Sequence, residues 1–231
     1  MKKILVLLVV LGLAGIASAV DSIGVNLGSN EASLNASDWA GVWSQPNWNN
    51  APNGGGSLTD VKDDGGAATT ADASWSSWGT WHCTAHGTAT GDAKLMYGYL
   101  DPVWGDWSAT ITISQIPYAQ YNVIAYVGTN NNGATSHVTD GTTTYSYTVA
   151  YPINTPFTAA NYLQTTATDE SKPVANYAVF AGKTGSSVTI STNTYGNGGG
   201  LFGVQIVEVP EPMTMALLGL GGLGLIRRRH N

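Results

Sequence analysis

The sequence predicts an all-β protein built as an antiparallel β-sandwich, a jelly roll in outline, and three observations carry that reading. Apolar and polar residues alternate with a period of two in several windows, notably Ala109, Ile111 and Ile113 against Ser108, Thr110, Thr112 and Ser114. Clusters of Gly, Asn and Asp punctuate the chain at short intervals. Between the two terminal segments, no window sustains the 3.6-residue period of an amphipathic helix.

In chain order, residues 22–27 open the set. A loop holding Trp39, Trp43, Pro46 and Trp48 follows. A hairpin is expected from residues 58–62, through a turn at Asp63-Asp64-Gly65-Gly66, into residues 67–75. Residues 94–100 and 107–114 are the next strands. Residues 121–127 are apolar on both faces and are expected at the centre of a sheet. Tyr145, Tyr147, Val149 and Tyr151 alternate again, as do Val188 and Ile190 against Ser187, Thr189 and Ser191. Residues 177–180 and 201–209 complete about ten strands, with no repeat of fixed period.

Both ends of the chain are hydrophobic and differ from the middle. Lys2-Lys3, the apolar run 4–16 and the small-residue site Ala17-Ser18-Ala19 have the order of a secretory signal peptide, so the mature chain is expected to begin at Val20 or Asp21. At the other end stand Val209-Pro210-Glu211-Pro212, an uncharged run over 213–226, and Arg227-Arg228-Arg229. Fourteen helical residues reach only about 21 Å, short of a hydrocarbon core of about 30 Å. The three arginines would hold the terminus on the cytoplasmic side. Such a segment suits a temporary stop better than a permanent span.

This tail resembles the PEP-CTERM sorting signal of Gram-negative bacteria. The resemblance implies recognition by an exosortase, an integral-membrane protease, with Pro210, Glu211 and Pro212 as the motif and Arg227, Arg228 and Arg229 as the cytoplasmic stop. The expected organisation is therefore a signal peptide over 1–19, a β-sandwich over 20–208 and a sorting signal over 209–231. It places the mature protein at the cell surface or in the extracellular matrix of a biofilm, after transient anchorage in the inner membrane.

Removing both ends leaves fourteen carboxylates against four lysines over residues 20–209, a net charge of −10. That balance excludes nucleic-acid binding by counterion release and disfavours anionic membranes. Stretches such as Ile23-Gly24-Val25-Asn26-Leu27, Trp48-Asn49-Asn50, residues 116–123 and Gly203-Val204-Gln205-Ile206 resemble galactose-binding-like and other carbohydrate-binding β-sandwich modules of exported bacterial proteins. This likeness implies the fold, and function only by analogy.

The tryptophans point to a ligand. Trp75, Trp78 and Trp81 stand among Ser, Gly and Thr, and Trp104 and Trp107 flank Gly105-Asp106. An indole offers a flat apolar face and one N–H donor, which suits it to stack on a sugar ring. The competing reading is that these rings plug the ends of the sandwich.

Other candidates carry less. His82-Cys83-Thr84-Ala85-His86 has metal-donor residues, but in a strand positions 82 and 86 share a face that 83 leaves, and no second pair completes a tetrahedral site. Cys83, the single cysteine, is expected to be a buried thiol. Asp60, Asp63 and Asp64 crowd one turn, and Asp101 and Asp106 another; without EF-hand spacing, Ca²⁺ stands as an alternative to the expectation of no cofactor. There is no Gly-x-Ser-x-Gly elbow, no His-Glu-x-x-His pair, and Gly182-Lys183-Thr184 lacks the glycine a phosphate loop needs at position 177. The threonines lack a regular flat array, so an ice-binding role is not expected. The leading expectation is a non-catalytic surface or matrix protein. Recognition of an exopolysaccharide through the tryptophans is the alternative, and a glycan-acting enzyme comes third.

Overall fold

Alternation along β1 (Ser22–Leu27) sends Ile23, Val25 and Leu27 into one core, and the same period in β7 (Thr110–Ser114) sends Ile111 and Ile113 into that core from the opposite side. The computed structural model describes residues 20–102, 108–151, 156–192 and 198–210. Within it, residues 21–209 form a compact unit of their own. The expected signal helix and the hydrophobic helix of the tail lie outside the described residues.

Two sheets face each other across this core. The first runs β11 (Gln164–Thr165), β13 (Tyr177–Lys183), β8 (Tyr121–Val127), β15 (Leu201–Glu208), β1 and β2 (Asn49–Ala51). It is extended by β6 (Gly98–Asp101), which pairs with β15, and β5 (Gly79–His82), which pairs with β6. The second runs β12 (Val174–Ala175), β10 (Thr144–Val149), β9 (Thr135–Thr139), β14 (Ser187–Thr192), β7, β4 (Asp72–Ser76) and β3 (Gly55–Leu58).

The sheets are mixed, which corrects the expectation of a wholly antiparallel sandwich. β1 with β2, β10 with β12 and β11 with β13 are parallel pairs. Each adds a strand of two or three residues at a sheet edge after the chain has crossed back over the body, as a parallel pair requires. Segments this short show no period. A second correction lies at residues 94–95, read as the start of a strand: they end a short α-helix, Gly91–Leu95, begun where Thr90 accepts a hydrogen bond from the Ala93 amide at 3.0 Å. The expected hairpin is present with other bounds, as β3 and β4 joined through the Asp63 turn.

The central strands of the first sheet, β1, β8 and β15, are buried on both faces. Beyond the core, residues 29–48 lie across β1, β15 and β8, and the Trp48 indole rests on Gly24, where a β-carbon would stand 2.7 Å from the ring. Beneath this cover the Tyr126 hydroxyl donates to Gln205 Oε1 at 2.8 Å and accepts from the Val42 amide at 2.8 Å. The Gln205 amide donates to Gln45 Oε1 at 2.6 Å. The Tyr126 and Gln205 side chains are thus paired beneath the cover, as their desolvation demands. The outer face of the second sheet carries mostly Ser and Thr, exposed or half-buried.

Candidate functional site

The connection from β4 to β5 carries the chain from one sheet to the other in two residues, Ser77 and Trp78. It is held down by the Ser77 amide, which donates to the Gly54 carbonyl at 2.6 Å, and by the Ser77 hydroxyl, which donates to the Gly79 carbonyl at 2.6 Å. Gly54 and Gly79 pack backbone to backbone here. A β-carbon on Gly54 would lie 2.7 Å from the Gly79 α-carbon. With no room inside so tight a crossing, Trp78 is pushed outward and is 64% exposed.

On β5, Thr80 and His82 reach Glu31, and Trp81 is 50% exposed. The three rings Trp81, His82 and Tyr97 form a stack, with centroids 5.1 Å apart at 16° between the first two and 5.3 Å apart at 4° between the second two. His82 Nδ1 lies 3.0 Å from Glu31 Oε2. Asn30 Nδ2 donates to Glu31 Oε1 at 2.9 Å and to the Thr80 hydroxyl at 2.9 Å, and Asn30 Oδ1 accepts from the Asn53 amide at 2.9 Å. A partly exposed aromatic platform thus adjoins a fence of one carboxylate, two amide or imidazole groups and a hydroxyl.

Of the five tryptophans expected to bind a ligand, the structure brings Trp78 and Trp81 to the surface. Trp75 takes the interior position: it alternates with Ala73 on the inward face of β4, is 6% exposed, and its indole donates to the Asn53 carbonyl at 3.2 Å. Its ring fills core volume and offers no free face to a sugar. Trp104 and Trp107 lie outside the described residues. Asn30, Glu31 and Tyr97, absent from the expected set, complete the group. Glu31 stands 51 residues from His82, so no local motif announces their meeting.

The two histidines of the 82–86 stretch part company, because the strand ends at His82 and residues 84–86 form a 3₁₀ turn. His86 is buried, with Nδ1 against the Met96 carbonyl and Nε2 without a partner. Burial lowers its pKa, against a smaller raising effect of the Met96 carbonyl. Cys83 is a fully buried free thiol whose pKa burial raises.

The acidic turn serves the backbone. Asp63 Oδ1 accepts from the Ala67 amide at 2.8 Å, and Asp60 donates its amide to Asp72 Oδ1 at 3.1 Å. An open cleft of about 530 Å³, lined in part by Asp21, Asp63, Tyr118 and Glu208, lies beside it. Burial raises the Tyr118 pKa, and the nearby carboxylates Asp21, Asp63, Asp64 and Glu208 raise it further. Among the described residues no group of three or more His, Cys, Asp or Glu side chains is arranged to hold a metal ion. Asp101 ends β6, and Asp106 lies outside the described residues.

Where β15 ends, the Val209 amide donates to the Gln120 carbonyl at 2.8 Å and the chain leaves the body at Pro210. Residues 208–229 match the PEP-CTERM protein-sorting motif. No curated protein and no solved structure matches the chain. The motif marks an exported protein sorted by exosortase, a membrane protease, toward the cell surface. Glu211, Pro212, Arg227, Arg228 and Arg229 lie outside the described residues, and Pro210 is exposed.

Proposed function

We propose that the exported body is a non-catalytic surface module that holds an extracellular polysaccharide against Trp78 and Trp81 once its tail has been processed. The observation that carries this reading is the Trp81, His82 and Tyr97 stack beside Glu31, Asn30 and Thr80. A ring stacked from behind is held rigid, so its free face can meet the C–H face of a sugar with little further ordering cost. The adjacent carboxylate, amide and hydroxyl supply the directional hydrogen bonds that fix sugar hydroxyls. Two facing sheets with aromatics at a crossing loop also suit the galactose-binding-like, jelly-roll class of sandwich, a likeness of architecture only.

The net charge of −10 favours a neutral or cationic glycan over a polyuronate. Affinity electrophoresis of the purified chain through gels containing neutral, amino-sugar and uronate polysaccharides tests the proposal. Retardation by a neutral or amino polymer is expected, weakened at least about tenfold by Trp81→Ala with the fold intact. Absence of retardation in every gel would leave a purely structural surface role. Release of reducing sugar would replace binding with hydrolysis.

A further inference from the structure

The loop that crosses the first sheet carries a second aromatic group. Residues 40–45 form a tight reverse turn closed by two backbone bonds, the Ala40 amide to the Gln45 carbonyl and the Gln45 amide to the Ala40 carbonyl, both at 3.1 Å. Three more bonds pin its tip: the Gly41 amide donates to Asp92 Oδ1 at 2.9 Å, the Val42 amide to the Tyr126 hydroxyl at 2.8 Å, and the Gln205 amide to the Trp43 carbonyl at 2.5 Å. Gly41 has a φ of +99°, and a β-carbon there would stand 2.9 Å from the Trp48 indole, so this seat on the sheet requires glycine. With the backbone drawn inward, the Trp39, Val42 and Trp43 side chains are left outside. Trp39 is 60% exposed, close to the value for Trp78.

This group adjoins the Trp81 platform. Asn30 and Glu31, which fence the platform, and Asp38 and Trp39 belong to the same loop. The α-helix Gly91–Leu95 joins the two groups a second time. Gly91 lies so close to the Trp39 backbone that a β-carbon would overlap the Trp39 carbonyl oxygen, and two residues past the helix Tyr97 stacks on His82. From Gly91 to Tyr97 the chain rises about 9 Å at about 1.5 Å per residue. Between them Lys94 Nζ donates to Asp38 Oδ2 at 2.6 Å, and the same oxygen accepts from the Asn35 amide at 2.7 Å. An ammonium carries three donors, of which Asp38 takes one.

We infer that Trp39 and Trp43 form a second contact for the same polysaccharide, so that the ligand is a chain of several sugars spanning both aromatic groups and not a single terminal sugar. The inference rests on the polysaccharide reading of the Trp81 platform and names the form of ligand that platform takes. Two indoles and a valine clustered in solvent on a pinned turn mark a contact surface. Because the backbone is already fixed, the indoles meet a sugar face with little further ordering. Lys94 and Asp38 set a donor and an acceptor between the two groups, within reach of the hydroxyls of an intervening sugar. Once one group holds a chain, the other meets it at a high effective concentration, so two weak contacts give firm retention. That gain is open to a polymer and closed to a disaccharide.

Titration calorimetry of the purified full chain with galactomannan, chitosan and alginate, each beside the disaccharide of its backbone, tests the inference on Trp39→Ala, Trp43→Ala and Trp81→Ala. Circular dichroism confirms the fold of each variant. Trp39→Ala and Trp43→Ala are each expected to weaken polymer binding at least about tenfold and to keep the wild-type affinity for the disaccharide, whereas Trp81→Ala weakens both. Polymer binding unchanged in Trp39→Ala and Trp43→Ala but lost in Trp81→Ala overturns the second contact and leaves the platform reading standing. A wild type that binds none of the polymers overturns the platform reading and this inference with it. A wild type that sediments as a dimer, with Trp39→Ala a monomer, assigns the cluster to a second copy of this chain and overturns the inference alone.

Discussion

The Glu208 amide donates to the Asp21 carbonyl at 2.9 Å, so the two ends of the sandwich leave it side by side. β1 and β15 are antiparallel neighbours, with Ser22 opposite Val207, so residues 21 and 209 stand at one end of the body. Glu31, His82 and Trp81 gather beyond the other end of β1, about 20 Å away at about 3.3 Å per residue. Joining 209 to 21 by a short linker and opening the chain at the exposed Asn132 is expected to give a cooperatively folding protein. A permutant without a cooperative melt would show that the neighbouring ends do not tolerate closure.

Trp75 and Trp81 belong to one short stretch yet should respond oppositely to truncation. Trp75→Ala empties a site in the core and is expected to cost about 3 to 5 kcal/mol. Trp81→Ala removes a half-exposed ring and is expected to change stability by no more than about 1 kcal/mol. Urea melts of the two variants check this, and similar midpoints would place both rings in the same environment.

How much of this was legible depends on whether a feature is local. The inward faces of β7 and β14 follow from a period of two, and the doubly buried β8 from an unbroken apolar run. Trp75 belongs inside by local pattern alone, since Ala73, Ser74, Trp75 and Ser76 alternate, although serines on either side are also the company of an exposed ring. The parallel edge strands were invisible because Asn49–Ala51, Gln164–Thr165 and Val174–Ala175 are too short to show a period. Tertiary pairing alone brings Glu31 to His82 and aligns Ser74 with Thr112.

His86 makes the fold sensitive to acid. Its Nδ1 faces the Met96 carbonyl, which can only accept, so Nδ1 carries the proton of the neutral ring and Nε2 is bare among Tyr151, Phe157 and Phe202. Burial holds its pKa below the unfolded value of about 6.5. The stability it contributes is therefore complete above that pH and is lost as pH falls through the folded pKa, at up to about 1.4 kcal/mol per pH unit. Melting temperatures at pH 7, 6 and 5 should fall more steeply for the wild type than for His86→Gln, which keeps a donor for Met96. Parallel curves would assign the acid response elsewhere.

Asp140 should respond to acid later. Burial raises its pKa, but hydrogen bonds from Lys183 and from the Thr143 and Thr142 amides outweigh it and leave the carboxyl below the usual value. The Thr143 and Thr142 amides bond Oδ1 at 2.7 and 2.9 Å, and Lys183 contacts Oδ2. With the folded pKa depressed, this contribution is present above the unfolded value of about 3.9 and disappears as pH falls through the folded one. At pH 5 it is intact while that of His86 is being lost. Asp140→Ala is accordingly expected to destabilise the protein by about 2 kcal/mol at both pH 7 and pH 5, and Asp140→Asn by less, because its carbonyl can still accept from the two amides. A penalty for Asp140→Ala that vanished between pH 7 and pH 5 would contradict the depressed pKa and locate the ion pair's worth in the protonation of another group.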